Sequence, residues 1–207
     1  MAENPDSLLR VWFGDDLETV EAVAARAQAW FGGDQSFDDL VRHQFSALPD
    51  QALRGDLNLW RGPPRSTLAL AIALDQLPRN LFRGSPQAFA YDSAALDVSR
   101  WALDRDLDGQ LHPVEAVFVY LPLEHAEDLA IQVQCVARFR ALLARAPGVL
   151  LSQFESFLSY AERHREVIER FGRFPHRNQI LGRPSTVDEL RYLKEGGEMF
   201  SGAEGTA

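Results

Sequence analysis

The sequence contains a single cysteine, Cys135, so an internal disulfide is excluded. Cys135 shares a helical apolar stripe with Ile131, Phe139 and Leu142, which predicts a core position in a reducing compartment. No apolar run is long enough to cross a bilayer, and the longest covers only residues 68–74. The first ten residues are acidic where a secretory signal would be basic. We therefore expect a cytoplasmic protein that has no membrane partner.

Positive charge is also scarce. The 21 basic residues are outnumbered by 30 acidic ones, which gives a net charge of -9. Because affinity for a phosphate backbone comes from clustered basic surface, we expect no nucleic-acid partner. Lys194 is the only lysine, so the arginine content of any motif partly reflects a general preference for arginine in this chain. A local group of arginines is still compatible with a small anionic ligand.

The usual signatures of several enzyme classes are missing. The chain contains no G-x-x-x-x-G-K or G-x-G-x-x-G loop and no G-x-S-x-G elbow. These absences argue against a phosphate-cradling glycine loop and an α/β-hydrolase nucleophile. The core position predicted for the single cysteine argues against a cysteine nucleophile.

The alternation typical of strands is absent as well, whereas helical spacing recurs along the chain. The first predicted helix ends near Gly14, the second ends at Gly32-Gly33, and the third begins near Ser36. Further helices are predicted over approximately 66–77, 85–101, 114–121, 122–142 and 149–171, and a short last helix follows the capping box at 186–189. The 66–77 segment is apolar almost all round, which is typical of a central helix. We predict an all-α fold of antiparallel helical hairpins, with one domain over 1–195 and a flexible tail over 196–207.

Three blocks and a short N-terminal motif carry a resemblance to a known family. The blocks read LALAIALDQLPRNLFRGSPQAFAYD, VFVYLPLEHAEDLAIQ and FGRFPHRNQILGRPSTVDEL, and the motif WFG occupies positions 12–14. Over nearly its whole length the chain resembles the bacterial family catalogued as "domain of unknown function 924". The resemblance implies a TPR-like α-α superhelix. It implies no activity, and no catalytic residues are carried over from it.

Asp75 is the most conspicuous polar residue of the predicted central helix. It lies on the same face as Leu68 and Ile72, so its carboxylate is expected to point inward. Burial and the helix dipole both disfavour a negative charge at this C-terminal position. Asp75 therefore requires a cation or several donors, and Arg79 and Arg83, which follow Pro78, are the nearest candidates.

A second polar set follows the long helix that ends near Phe171, and we expect it to meet the residues around Asp75. The predicted ligand-binding residues are Asp75, Gln76, Arg79, Asn80, Arg83, Arg173, His176, Arg177, Asn178 and Arg183. The candidate catalytic residues are His125, His164, Glu124 and Asp128. Glu124 and Asp128 extend the apolar stripe of the following helix backwards, so both are expected to face the interior. Alternatively, they are acids that complement a helix N-terminus.

These residues support three hypotheses. In the first, arginine forks bind a small anionic ligand or an acidic peptide. In the second, the chain is a hydrolase-type enzyme in which a histidine paired with a carboxylate is the general base, with or without a metal. In the third, the polar groups form a closed structural network, and function depends on a protein partner. The enzyme needs a histidine within hydrogen-bonding reach of a carboxylate inside an open cleft, whereas the binding protein needs only an exposed cationic fork.

A separate segment matches the pattern of an EF-hand calcium loop, D-x-D-x-D-G-x5-E. The predicted metal ligands are Asp104, Asp106, Asp108, Gln110 and Glu115. This loop has no second EF-hand loop to pair with, and Pro113 is an unusual start for the helix that follows a calcium loop. The alternative is therefore a solvated acidic connection between two helices. We expect no required cofactor, and calcium is the one candidate.

Overall fold

The computed structural model describes residues 4–200, and all regular structure in that range is helical. The helices are α1 (Pro5–Phe13), α2 (Val20–Phe31), α3 (Gln35–Phe45), α4 (Leu48–Arg54), α5 (Pro64–Leu81), α6 (Asp92–Leu103), α7 (Pro113–Glu124), α8 (Leu129–Leu143), α9 (Leu151–Phe171) and α10 (Val187–Lys194). Short 3-10 turns lie at Asn58–Trp60, Pro86–Phe89, Asp108–Gln110, Gly148–Leu150 and Pro175–Arg177. The all-α prediction is confirmed, and the TPR-like superhelix stays a prediction.

The helix ends follow local capping chemistry. Asn4 caps α1 by accepting a hydrogen bond from the Asp6 backbone N–H at 2.9 Å, and α1 stops at Gly14, whose φ is 69°. A side chain at position 14 would also collide with the guanidinium of Arg26. At the other end of the chain, Thr186 and Glu189 form the predicted capping box of α10.

α5 is the central helix, and it contacts α1, α3, α4, α6 and α7. The prediction that it ends near position 77 is wrong, because the helix continues through Pro78 to Leu81. α7 likewise continues through Pro122. A proline inside a helix removes one backbone hydrogen bond, and the packing around these two helices outweighs that loss. Although both helices are mostly apolar, no helix within residues 4–200 is long and apolar enough to cross a membrane.

An aromatic cluster joins the N-terminal helices to α7. Phe118, which is completely buried, lies 4.7 Å from Trp30, 5.3 Å from Phe13 and 5.7 Å from Trp12 between ring centroids. These three contacts are edge-on, the arrangement favoured by the quadrupoles of the rings. The cluster fixes α7, whose C-terminal end carries the candidate site residues.

Part of the predicted tail packs against α9. Glu198 accepts two hydrogen bonds from the Arg163 guanidinium, and the Phe200 ring stacks on His164 with centroids 3.5 Å apart. The remainder of that predicted tail, residues 201–207, lies outside the described residues. Residues 198 and 200 therefore cover one side of the polar region around His164.

We expect Phe118→Ala to destabilise the protein by about 3–5 kcal/mol, because it removes a buried ring and leaves a cavity among three aromatic neighbours. Chemical denaturation monitored by circular dichroism measures this loss. Leu59→Ala is the control, since Leu59 is 94% exposed and its truncation should change the free energy of unfolding by less than about 0.5 kcal/mol. Equal stabilities of the two variants would contradict this assignment of the core.

Candidate functional site

The centre of the site is a hydrogen-bonded pair formed by Asp75 on α5 and His125 at the end of α7. Asp75 is completely buried, and its Oδ1 lies 2.7 Å from Nδ1 of His125. The side-chain amide of Gln76 donates to the other carboxylate oxygen at 2.6 Å. The His125 side chain is 13% exposed. Its Nε2 makes no hydrogen bond within residues 4–200.

Electrostatics fix the protonation of this pair. Burial by itself would raise the pKa of Asp75, but the Arg79 charge and the hydrogen bonds from His125 and Gln76 hold that pKa well below its usual range. Burial and the Arg79 charge lower the pKa of His125. An ionised Asp75 beside a neutral His125 requires Nδ1–H to donate to the carboxylate. The unprotonated Nε2 is then a hydrogen-bond acceptor.

Two arginines and one further carboxylate complete the charge balance. Arg79 Nη1 donates to the Asp75 backbone carbonyl at 2.7 Å and lies 3.4 Å from the Asp75 carboxylate. Arg79 also donates two hydrogen bonds, of 2.9 and 3.1 Å, to the carboxylate of Asp92, the first residue of α6. Arg177 approaches Asp92 at 3.4 Å and donates to the His125 backbone carbonyl at 3.1 Å. The chain of contacts therefore links α5, α6, α7 and the turn after α9.

Glu124 and His164 form a second titratable pair next to the first. Glu124 Oε1 lies 3.4 Å from His164 Nδ1, which also donates to the Tyr160 backbone carbonyl at 2.8 Å. Burial and the nearby charge of Asp75 raise the pKa of Glu124 to about 8. Burial lowers the pKa of His164 well below its ordinary value. At neutral pH both side chains are therefore uncharged.

The other predicted ligand-binding residues do not join this centre. Asn80 and Arg83 instead hold Asp38 of α3, which is 4% exposed, with an amide hydrogen bond of 2.7 Å and a bidentate guanidinium. Sequence reasoning placed Arg83 near Asp75 and missed Asp38. The spacing of Asp38 from Val41 and Phe45 puts all three on one face of α3, and that spacing was a usable signal.

The segment after α9 has its own internal partners. Arg173 binds Glu189 bidentately and Asn178 donates to the same carboxylate, while Arg183 binds Glu127 bidentately. The hydrogen bonds from Arg173 lower the pKa of Glu189 to about 2. These contacts fasten α10 and the start of α8 to the segment, and they leave three predicted binding residues engaged within the protein.

His176 lies in the same segment but has no such partner. Its Nδ1 is buried and unpaired in the part of the chain that the structure describes. Burial and the Arg177 charge lower its pKa to about 3.

Asp128 was predicted to face the interior, and this is wrong. The residue is exposed, and its carboxylate caps α8 by accepting from the Ile131 backbone N–H at 3.1 Å. The alternative interpretation, an acid at a helix N-terminus, is the one the structure supports. Asp92 occupies the position in the cluster that Asp128 was expected to fill. Its spacing from Ala95 and Ser99, both buried in α6, was a usable signal.

The predicted calcium ligands are not gathered around one point. Asp108 accepts a hydrogen bond from the Tyr120 hydroxyl at 2.6 Å, and Glu115 is bound to Arg65 and to the His112 backbone N–H. Asp104 and Asp106 are exposed. Within residues 4–200 no group of three or more His, Cys, Asp or Glu side chains is placed to hold a metal ion. The EF-hand spacing is present, but protein donors use two of its carboxylates.

Two surface clefts lie away from the Asp75–His125 pair. One, of about 530 Å³, is bounded by the turn after α1 and by Arg65 and Glu115, which bind each other. The other, of about 500 Å³, lies beside Arg173 and Glu189, which are also paired. Each cleft thus contains one ion pair that is already formed within the protein, and neither cleft contains Asp75 or His125.

Replacing Glu124 tests the assignment of a neutral carboxyl group. Since the folded state keeps a proton on Glu124 up to about pH 8, while the unfolded state loses it near its ordinary pKa of 4.5, the parent should lose stability as pH rises through that window. Glu124→Gln removes this loss. Urea unfolding from about pH 5 to about pH 9 should show that the free energy of unfolding of the variant increases relative to that of the parent as the pH rises.

The matched control is Glu155→Gln, at an exposed position of α9. The difference in the free energy of unfolding between this variant and the parent should not depend on pH in the same way. The groups around Glu124 that also titrate are Asp75, His164 and Cys135. A stability difference between Glu124→Gln and the parent that is constant with pH would contradict the buried neutral carboxyl.

Comparisons with known proteins agree with the helical architecture. A family model described as "Bacterial protein of unknown function (DUF924)" matches residues 8–197. The solved structure of protein of unknown function ATU0120 from Agrobacterium tumefaciens is similar, with a TM-score of 0.78 and 35% identity over 93% of this chain and 97% of that one. None of the curated proteins matches the chain. The chain therefore belongs to the DUF924 family of bacterial proteins.

Proposed function

We propose that the protein is a hydrolase-type enzyme in which His125 is the general base and Asp75 orients it. The observation that carries this proposal is the 2.7 Å contact between Asp75 Oδ1 and His125 Nδ1, in a partly exposed ring whose Nε2 makes no hydrogen bond within residues 4–200. A buried carboxylate that binds one ring nitrogen leaves the opposite nitrogen as a proton acceptor. This is the arrangement that separates the enzyme hypothesis from a simple binding protein.

The proposed step is a proton transfer. A water molecule held at Nε2 gives its proton to His125 as its oxygen attacks an electrophilic carbon or phosphorus atom of the substrate. The imidazolium that forms is stabilised by the negative charge of Asp75, which itself stays unprotonated. His125 then returns the proton to the leaving group, so the charge of the enzyme is restored.

The two alternative functions account for less of the geometry. Anion binding by a group of exposed arginine forks conflicts with the pairing of Arg83, Arg173 and Arg183 to Asp38, Glu189 and Glu127. A purely structural network explains those same pairs well. It does not explain why the Asp75 carboxylate is hydrogen-bonded to a histidine, when arginine could bind both of its oxygens. The cytoplasmic location stays a proposal, supported by the buried, unpaired Cys135.

The tautomer of His125 is the most direct test, because it needs no substrate. Nitrogen-15 NMR at neutral pH should show His125 protonated on Nδ1 and unprotonated on Nε2. In Asp75→Asn this preference should weaken, since the carboxylate that selects the tautomer is gone. An Nε2–H tautomer in the parent would reject the general-base role.

Activity should follow the same residues. Against a panel of activated esters, phosphomonoesters and amides, His125→Gln should lower kcat/KM for any hydrolysed compound by about 10²–10⁴-fold. His43→Gln is the matched control, because His43 is exposed on α3. A substrate that His125→Gln hydrolyses as fast as the parent does would contradict the proposal.

A further inference from the structure

Several arginines of this protein bind a carboxylate through the same edge of the guanidinium, the one formed by Nε and Nη2. Arg83 uses it on Asp38, with distances of 3.2 and 2.9 Å, and Arg173 uses it on Glu189, with distances of 2.6 and 2.8 Å. The Arg163 guanidinium binds both oxygens of Glu198 through this edge, and Arg54 donates from Nε and Nη2 to one oxygen of Asp56. This edge offers two parallel N–H groups whose spacing matches the two oxygens of a carboxylate or phosphate.

Arg177 has this edge free. Its hydrogen bonds to the His125 carbonyl and to Asp92 both come from Nη1. Nε is buried and unpaired, and Nη2 has no partner within residues 4–200. The residue as a whole is only 6% exposed, which makes an unmatched guanidinium edge costly to bury unless a ligand uses it.

Aromatic rings hold the Arg177 guanidinium in position. Its central carbon lies 4.8 Å from the centroid of Phe89 and 4.4 Å from that of Phe174. The rings attract the cation, and the Nη1 bonds hold the end opposite Nε. The guanidinium is therefore oriented before any ligand binds, which lowers the entropy lost on binding.

We propose that the substrate carries an oxyanion group, a carboxylate or a phosphate, which binds to the Nε–Nη2 edge of Arg177 beside the base His125. This assignment rests on the proposed function, because it supplies the substrate class for the same site. Arg177 donates from Nη1 to the backbone carbonyl of His125, so the guanidinium and the proposed base belong to the same cluster of contacts. Arg177 is then a binding residue that places the substrate, and His125 acts on a neighbouring bond of the same molecule.

The charges around the site suit an anion. Arg79 and Arg177 are matched by Asp75 and Asp92, while burial keeps the nearby Glu124 uncharged at neutral pH. Burial and the charge of Arg79 lower the pKa of Arg177 to about 10, which leaves the guanidinium positively charged at neutral pH. An incoming oxyanion meets no net negative charge from these five groups, and it would relieve the repulsion between the two arginines.

The first test is thermal unfolding with inorganic phosphate and with succinate, each compared with chloride at equal ionic strength. At least one anion should raise the Tm of the parent saturably, and which one does so tells whether phosphate or carboxylate is preferred. Arg177→Lys should weaken that anion at least about tenfold, because lysine cannot form the bidentate contact. Arg54→Lys is the control and should bind the anion as the parent does, since Asp56 already occupies its edge.

A second measurement on the parent keeps the test decisive if Arg177→Lys is poorly folded. The stabilising anion should slow the modification of His125 by diethyl pyrocarbonate and shift the Nε–Hε NMR signal of Arg177. The assignment is overturned if the anion produces neither of these two effects, or if a folded Arg177→Lys variant binds the anion as tightly as the parent does. His125→Gln should still bind the anion. Anion binding combined with an Nε2–H tautomer of His125 would therefore reject the general base and keep the anion site.

Discussion

The structure depends on the burial of one carboxylate, Asp75, inside the central helix. Its negative charge lies inside α5, more than one turn before the helix ends at Leu81, and desolvation opposes it. Compensation comes from His125, Gln76 and Arg79, which approach from α7 and from α5 itself. Arg79 in turn requires Asp92 on α6. The need to neutralise one charge thus fixes the relative positions of three helices.

The buried carboxylates of Asp38, Glu189 and Asp75 are stabilised by different kinds of hydrogen-bond donor. Asp38 and Glu189 are each held by a bidentate arginine and an asparagine amide. Arginine and asparagine act only as hydrogen-bond donors here, so these two contacts hold helices together. Asp75 is held by a histidine whose second ring nitrogen makes no hydrogen bond within residues 4–200. This difference separates Asp75 from the other two carboxylates.

Two segments of similar sequence contribute to these contacts. The segments LPRN at 77–80 and FPHRN at 174–178 each end in an asparagine that holds a carboxylate of another helix. The arginine before each asparagine, Arg79 or Arg177, turns instead toward Asp92. The two echoed segments therefore meet at one carboxylate of α6, although they lie almost one hundred positions apart in the chain.

The sequence by itself determined the helical class, most helix ends and the burial of Asp75, because periodicity and capping act over a few neighbouring residues. It also named His125, Glu124 and Arg177 as members of a polar cluster. Only the tertiary structure decided that His125 binds Asp75, that Arg83 binds Asp38 and that Asp128 faces solvent. Those pairings depend on how distant helices pack, and the continuation of α5 through Pro78 depends on surrounding contacts that outweigh local preference.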